Sequence, residues 1–208
     1  MVVYAAMWLG YRQDWAWLAA VDSWFLDGIQ PMGAEHPAWV ITWNVICTIL
    51  GPTGFRIVGV CVIIWLLTRR YLRPALFLVL SVELSGLVTE VAKRLADRPR
   101  PEAAMVHAYG TSFPSGHALA VMAGVLAFLT ILLPAVAARR RLPLIVAGAA
   151  IVVIVGAGRV VLNVHHPSDV IAGWALGYLW FLVCLSLVRP VTLTTAQAGR
   201  PAVLGRKN

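Results

Sequence analysis

Long apolar segments separated by short polar loops make up most of the chain after about residue 50. A helix that crosses a bilayer needs about 20 mostly apolar residues. Four segments come close to this length. A fifth, residues 53–68, is near the lower limit and carries Arg56 close to its start, where a long side chain can reach the interface. The pattern therefore predicts five transmembrane helices. The four longer segments are residues 74–92, 115–133, 142–158 and 170–188.

The first 50 residues have a different pattern. Residues 1–10 are apolar, but Arg12 and Asp14 follow before the segment reaches the length of a span. Tryptophans then occur among polar residues, which is typical of helices that lie in the membrane interface. An alternative for residues 37–50 is a buried helix, and a sixth transmembrane helix is left open. The predicted fold class is an all-α, polytopic membrane helical bundle with N-terminal interfacial helices. The tryptophans are Trp15, Trp17, Trp24, Trp39 and Trp43.

The composition excludes a water-soluble globule. Hydrophobic residues make up 60% of the 208 residues and charged residues 12%, whereas about a quarter of an average soluble domain is charged. The same numbers exclude a disordered chain, and three scattered cysteines supply neither a disulfide framework nor a metal knuckle. We predict one membrane-embedded domain over residues 1–191, partly interfacial up to residue 51. Polar residues and glycine follow, which predicts a disordered tail over residues 192–208.

The formal net charge of +8 fits either nucleic acid or a membrane surface as a partner, and the position of the charges favours the membrane. With five spans, three basic groups fall on the same side, which the positive-inside rule makes cytoplasmic. The tail is then cytoplasmic, and the loops at 93–114 and 159–168 face outward. The sequence gives no oligomeric state. The basic residues are Arg69, Arg70 and Arg73; Arg139, Arg140 and Arg141; and Arg189, Arg200, Arg206 and Lys207 in the tail.

Four cations in the first outer loop break the positive-inside pattern and need another explanation. Arginine presents a planar fork of donors that suits phosphate oxygens, and lysine adds a compact charge. The loop alone fits a phosphate site and a lipid-headgroup patch equally well. The cations are Lys93, Arg94, Arg98 and Arg100.

The sequence Phe113-Pro114-Ser115-Gly116-His117 opens the next predicted helix. A helix N-terminus exposes unpaired N–H groups, and its dipole favours negative charge, so this turn can hold a phosphate. His117 is placed to exchange a proton with that phosphate. The alternative, which the short motif alone favours, is that Ser115 serves only as an N-cap.

The second outer loop contains Arg159, His165, His166 and Asp169. If the segment from His165 is helical, His165 and Asp169 stand at i and i+4 on one face. A carboxylate in that position orients an imidazole and stabilises its positive charge, which leaves the other nitrogen as nucleophile or base. His166 is a rival nucleophile, but its partner at i+4 is Val170. A zinc site built from three histidines and Asp169 is less favoured, because the arginines would repel a cation.

Three motifs together resemble the type 2 phosphatidic acid phosphatase family, whose fold also underlies the vanadium haloperoxidases. The resemblance covers about residues 20–188. The third motif in this family commonly begins Ser-Arg, whereas this chain has Gly158 before Arg159. The amino-terminal segment is also shorter than the first transmembrane helix of most members. The motifs are Lys93-x6-Arg100-Pro101, Pro114-Ser115-Gly116-His117 and Arg159-x5-His165-x3-Asp169.

The resemblance implies a role for each motif residue and a reaction without a metal or another cofactor. The resemblance assigns the binding of the phosphate oxygens to Lys93, Arg100, Ser115, Gly116 and Arg159. His165, oriented by Asp169, attacks phosphorus and forms a phosphohistidine. His117 protonates the departing oxygen and later activates water.

The resemblance also suggests a substrate and a location. We expect a multi-pass protein of the cell membrane, with an extracytoplasmic active site that hydrolyses a polyprenyl diphosphate such as the undecaprenyl or decaprenyl carrier. Phosphatidate and phosphatidylglycerophosphate are alternative substrates. Vanadate-dependent peroxidation is less favoured for a multispan chain of this size. A non-catalytic protein that binds or transports a lipid phosphate is a further alternative, although it would not need the two histidines and the carboxylate.

The remaining charged residues near the motifs have less defined roles. For Arg94 and Arg98 we favour a solvated or lipid-facing position over a contact with phosphate. Glu90 stands one turn before Lys93, which predicts an ion pair between them. The sequence does not assign Glu83, which lies on the same face as Glu90.

Overall fold

The computed structural model describes residues 1–190, and the regular structure in that range is helical throughout. The predicted all-α fold is confirmed, whereas the predicted tail at 192–208 lies outside the described residues. A π-helical segment, Val79–Glu83, joins α5 to α6, and a 3-10 turn, Leu133–Ala135, follows α7. The α-helices are α1 (Val2–Arg12), α2 (Ala16–Glu35), α3 (Pro37–Ile49), α4 (Pro52–Thr68), α5 (Leu72–Leu78), α6 (Ser85–Ala96), α7 (Gly116–Leu132), α8 (Ala138–Val161) and α9 (Pro167–Leu187).

Five stretches of the described residues are long and apolar enough to cross a membrane, so the predicted number of spans is confirmed. The first stretch begins earlier than predicted, because α3 continues into α4 with only two residues between the helices. Residues 37–50, which we placed in the interface, are therefore part of this apolar stretch. The stretches are Pro37–Thr68, Leu72–Ala96, Gly116–Ala135, Ala138–Val161 and Pro167–Leu187.

Neither α1 nor α2 is among these five stretches. Instead, α1 packs its aromatic and sulfur side chains against Ala96, Phe113 and Ala172, which lie next to the three motifs. Helix α2 buries Asp22, a charged residue, among its apolar contacts. The amino-terminal helices therefore support the loops that carry the motifs.

Helix α7 lies at the centre of the bundle and packs against α8 and α9. Glycines on α9 allow the two helix backbones to approach closely, as small residues do in membrane helix pairs. A Cβ atom on Gly173 would lie only 2.5 Å from the carbonyl oxygen of Ser115, and one on Gly177 would clash with the carbonyl of Leu119. This packing places the amino-terminal ends of α7 and α9 side by side.

The helices that precede these two ends terminate in the same way. Asp97 and Asn163 adopt positive φ angles of 49° and 52° directly or shortly after α6 and α8, a conformation that Asp and Asn tolerate better than most residues. Lys93 and Arg159 lie in the last turns of these helices, where the helix dipole favours a cation. Two cationic helix ends and two helix N-termini thus carry or border the motif residues.

Candidate active site

Lys93 connects α6 to the loop that leads to α7. Its half-buried ammonium donates a hydrogen bond of 2.6 Å to the carbonyl oxygen of Thr111. The ammonium has three donors, so this bond leaves donors for a bound anion. The predicted ion pair between Glu90 and Lys93 is wrong, because Glu90 pairs with Arg94 at 3.1 Å on the exposed side of α6.

Arg100 is fixed by three backbone carbonyls. Its guanidinium donates to the carbonyl oxygens of Gly110, Tyr109 and Val164 at 2.7 to 2.9 Å. Its Nη1 atom also lies 3.3 Å from Nε2 of His165. Burial lowers the pKa of Arg100, while Asp169 opposes that effect. Arg100 therefore joins the first motif to the third at the nitrogen that would attack phosphorus.

Arg159 is almost fully buried at the end of α8, and its Nε atom has no hydrogen-bond partner among the described residues. A buried guanidinium without a full set of acceptors is suited to an anionic ligand. Gly158, at the position where the family motif commonly has serine, packs against α3. A Cβ atom at Gly158 would lie 2.5 Å from Sγ of Cys47 and 2.9 Å from the ring of Trp43. The departure from the motif therefore follows from close packing beside Arg159.

Ser115 and Gly116 form the turn at the start of α7. Ser115 is fully buried, and its Oγ accepts a hydrogen bond of 3.5 Å from the backbone N–H of Ala118. Ser115 is thus the N-cap of α7, which was the alternative role predicted for it from the sequence. A Cβ atom on Gly116 would lie 2.8 Å from Cγ2 of Thr89. The turn is therefore packed tightly against α6.

His117 lies on the first turn of α7 and faces the junction between α3 and α4. A Cβ atom on Gly51 would lie 3.0 Å from Cδ2 of His117. Four other motif residues lie within electrostatic range of the His117 ring, which places all five in one region. The structure therefore brings the cations and histidines of the three motifs together. The four residues are Lys93, Arg100, Arg159 and His165.

His165 precedes α9 rather than lying in it, because the helix begins at Pro167. Its Nδ1 atom is nevertheless 3.6 Å from Oδ2 of Asp169, slightly longer than a hydrogen bond. Burial lowers the pKa of His165 to about 4, although Asp169 favours the protonated ring. The free ring is therefore neutral at pH 7, the state that a nucleophile requires.

His166 also contacts Asp169, which the sequence interpretation missed. Its Nδ1 atom and its backbone N–H lie 3.1 and 2.9 Å from Oδ2 of that carboxylate. The surroundings distinguish the two histidines, because His166 lines a polar cavity of about 490 Å³ together with Asp27 and Glu102. Because carboxylates repel a phosphate anion, the surroundings of His166 disfavour phosphate binding. His165 instead faces the cation of Arg100.

The prediction that Arg98 lies at the solvent or lipid surface is wrong. Its side chain is buried, with Nη1 at 2.7 Å from Oδ1 of Asp169 and Nη2 at 2.9 Å from Oδ2 of Asp22. Burial alone would lower the pKa of Arg98, but Asp169 and Asp22 together raise it. Arg94, by contrast, is exposed. Asp22 was not among the predicted site residues, and its one signal was a lone carboxylate within an apolar part of α2.

An apolar cavity of about 700 Å³ lies between the α3–α4 junction, α7 and α8, and its lining residues on α7 and α8 are two or more turns away from His117 and Arg159. Leu50 and Thr53 line it on either side of the segment that holds Gly51 next to His117. Glu83 faces α4 elsewhere in the bundle, since a Cβ atom on Gly59 would lie 2.8 Å from its Oε1. In residues 1–190, the His, Cys, Asp and Glu side chains form no group of three placed to hold a metal ion.

The fold and the cluster define a helical membrane protein with a group of cations and histidines at the meeting point of four helix ends. The chain belongs to the PAP2 superfamily, whose family profile matches residues 74–192. This range includes every predicted site residue. The predicted resemblance to the type 2 phosphatidic acid phosphatase family is therefore confirmed.

The chain is also similar to two proteins that are named as phosphatases. It is 41% identical over 101 residues to phosphatidylglycerophosphatase B of Bacillus subtilis, an alignment that covers 47% of this chain and 49% of that protein. It is 32% identical over 176 residues to lipid A 1-phosphatase of Rhizobium johnstonii, covering 75% of this chain and 64% of that protein. The alignments thus span less than two thirds of these two relatives.

A solved structure shares the fold. The crystal structure of a transmembrane PAP2-type phosphatidylglycerolphosphate phosphatase from Bacillus subtilis matches with a TM-score of 0.69 and 24% sequence identity. The match covers 90% of this chain and 96% of the other chain. The arrangement of the bundle is therefore that of a PAP2 membrane protein.

Proposed function

We propose that this protein is a metal-independent membrane lipid phosphatase that works through a phosphohistidine intermediate. The observation that carries the proposal is the convergence of Lys93, Arg100 and Arg159 on two histidines inside a helical membrane bundle. Three cations neutralise the charge of a phosphoryl group and of its transition state. A protein that only binds phosphate would need these cations but not the pair of histidines.

In the first step, Nε2 of His165 attacks phosphorus and the bond from phosphorus to the leaving oxygen breaks. His117 gives its proton to that oxygen, so the leaving group departs as a neutral hydroxyl. Nδ1 of His165 faces Asp169, whose carboxylate stabilises the positive charge on the phosphorylated ring. The positions of Nδ1 next to Asp169 and of Nε2 next to Arg100 support the assignment of His165 as the nucleophile.

In the second step, His117 is neutral and takes a proton from water. The resulting hydroxide attacks phosphorus, the P–N bond to His165 breaks, and inorganic phosphate leaves. His165 returns to its neutral form, and His117 is again protonated for the next cycle. The cations hold the phosphoryl oxygens in both steps, and the N-terminus of α7 at Ser115 and Gly116 adds hydrogen-bond donors.

The substrate we propose is a lipid that carries its phosphate at the membrane surface. The apolar cavity between the α3–α4 junction, α7 and α8 supports a lipid chain over a soluble ester, because its lining residues are mostly apolar. The names of these relatives favour phosphatidylglycerophosphate or the phosphate of lipid A over the polyprenyl diphosphate that the family resemblance suggested. Polyprenyl diphosphate remains a prediction.

We also propose that the site faces away from the cytoplasm. The basic groups at residues 69–73 and 139–141 lie at the ends of spans opposite to the motif ends, and the positive-inside rule supports a cytoplasmic position for them. A cysteine introduced at Tyr109, an exposed loop residue, should react with a membrane-impermeant maleimide in intact cells. A cysteine introduced at Arg140 should react only after the membrane is opened.

The test of the proposed function is phosphate release from purified protein in detergent with EDTA. Phosphatidylglycerophosphate, phosphatidate, a lipid A phosphate and undecaprenyl diphosphate are compared in parallel. We expect the wild type and His166→Gln to release phosphate from at least one lipid, and His165→Gln to lose the activity by about 1,000-fold or more. Binding of these lipids without phosphate release would instead support a binding or transport protein.

A further inference from the structure

A buried hydrogen-bond network stands behind the third motif and joins Asp169 to three residues that the motifs do not specify. Arg98 donates from Nη1 to Oδ1 of Asp169 and to Oγ of Ser168, both at 2.7 Å, and from Nη2 to Asp22. Asp22 accepts a 3.0 Å bond from the backbone N–H of Ser168 and a 2.5 Å bond from its hydroxyl. All three side chains that surround Asp169 in this network are buried.

The network divides the two oxygens of Asp169 between separate partners. Oδ1 accepts from Arg98. Oδ2 accepts from the backbone N–H of His166 and faces the rings of His165 and His166. Because a carboxylate that is held at both oxygens cannot turn about its Cβ–Cγ bond, the contact with Arg98 fixes the direction in which Oδ2 points.

Asp22 and Tyr11 hold Arg98 from the amino-terminal side. The guanidinium carbon of Arg98 lies 4.9 Å from the centre of the Tyr11 ring, within the range of a cation–π interaction. Asp22 belongs to α2, and Tyr11 to α1. The contacts of Arg98 therefore join the two amino-terminal helices to the first turn of α9.

The charges in the network also have a consequence for Asp169. A buried carboxylate is costly unless cations or hydrogen-bond donors compensate it. Arg98 supplies that compensation, and it shares its charge with Asp22. Asp169 thus stays ionised while remaining available to His165.

We propose that Arg98 and Asp22 are positioning residues for phosphoryl transfer: they hold Asp169 so that its Oδ2 orients His165. This inference rests on the proposed function. Arg98 is not assigned a contact with phosphate, because its Nη1 and Nη2 atoms are already committed to Ser168, Asp169 and Asp22. The amino-terminal helices then contribute to catalysis through Asp22.

The test compares Arg98→Gln, Arg98→Lys and Asp22→Asn in the phosphate-release assay, with Arg94→Gln as the matched control. Arg94 lies on the exposed side of α6, and its variant should keep wild-type kinetics. We expect Arg98→Gln and Asp22→Asn to lower kcat by roughly 10- to 100-fold while KM changes less than about 3-fold. Arg98→Lys should restore part of the loss, because it keeps the charge next to Asp169.

A second comparison separates this role from a structural one. If Arg98 acts through Asp169, adding Arg98→Gln to Asp169→Asn should cause no further loss of kcat. Thermal midpoints in detergent identify any variant that fails to fold, and Asp22→Asn, which is nearly isosteric, provides the test if Arg98→Gln unfolds. Wild-type activity of folded Arg98→Gln and Asp22→Asn would overturn the inference, and so would a loss confined to KM or a full additional loss in the Asp169→Asn background. An inactive wild type would instead refute the proposed function.

Discussion

The backbone N–H of Ser115 donates a 2.9 Å hydrogen bond to the carbonyl oxygen of Asp169. This bond joins the first residue of the turn before α7 to the first turn of α9. It forms because Gly173 brings α9 onto the backbone of α7. The second and third motifs, 54 positions apart in sequence when Ser115 and Asp169 are compared, are therefore held in register by main-chain atoms.

Gly173→Ala should separate the two helices. The added methyl group would lie 2.5 Å from the carbonyl oxygen of Ser115 and 2.9 Å from Cβ of Ala118, so α9 must shift. We expect a loss of about 1–3 kcal/mol in stability and a lower kcat. The matched control is Gly28→Ala, because no atom lies within 4 Å of a Cβ at that helical position. Thermal midpoints in detergent give the comparison, and equal midpoints for the two variants would contradict the close approach.

Gly158→Ser restores the residue that the family motif commonly has, yet it should destabilise this protein. The new side chain would meet Sγ of Cys47 and the ring of Trp43. We expect a loss of about 1–3 kcal/mol, seen as a lower thermal midpoint. Cys47→Ala removes one of the two obstructing groups, so the double variant should recover part of the loss. No difference between Gly158→Ser with and without Cys47→Ala would refute the contact with Cys47.

The spans and the motifs could be predicted from the sequence, because each depends on local features. Segments such as 170–188 are close to the length that a membrane span requires, and the three motifs occur in order. The start of the first span was missed because Trp39 and Trp43 were interpreted as interfacial anchors, although the residues around them are mostly apolar. Arg98 was misplaced for a different reason: the cations of its loop look alike in sequence, and its partner Asp22 is distant along the chain. Only the fold shows which cation turns inward.

Lowering the pH should destabilise the wild type more than His165→Gln. The pKa of His165 is about 4 in the folded protein and about 6.5 in an unfolded chain. Between these values the unfolded state binds more protons, so stability falls as pH falls from 6.5 to 4. At pH 4.5 this single group should cost about 2–3 kcal/mol relative to pH 7.

The pH experiment measures thermal midpoints in detergent at pH 7 and pH 4.5. His107→Gln, which changes an exposed histidine, is the control and should lose as much as the wild type. His165→Gln should lose less than either. An equal loss in all three proteins would show that His165 is not a buried neutral group.

Replacing Arg159 by lysine should lower the activity, although the positive charge is kept. Lysine keeps the charge but lacks the planar fork of donors, and the site around Arg159 is buried and closely packed. We expect Arg159→Lys to lower kcat/KM about 100- to 1,000-fold in the phosphate-release assay. Arg140→Lys, at the other end of α8, should retain the wild-type value. Full activity of Arg159→Lys would exclude a geometric role for the guanidinium.

The most direct measurement is to identify the residue that carries phosphate during turnover. Wild type, His165→Gln and His166→Gln are incubated in EDTA with a lipid that has a ³²P-labelled terminal phosphate, quenched in alkali and digested for peptide mapping. We expect an alkali-stable, acid-labile label on His165 in the wild type and in His166→Gln, and no label in His165→Gln. A label on His166, or undiminished phosphate release by His165→Gln, would contradict the proposed mechanism.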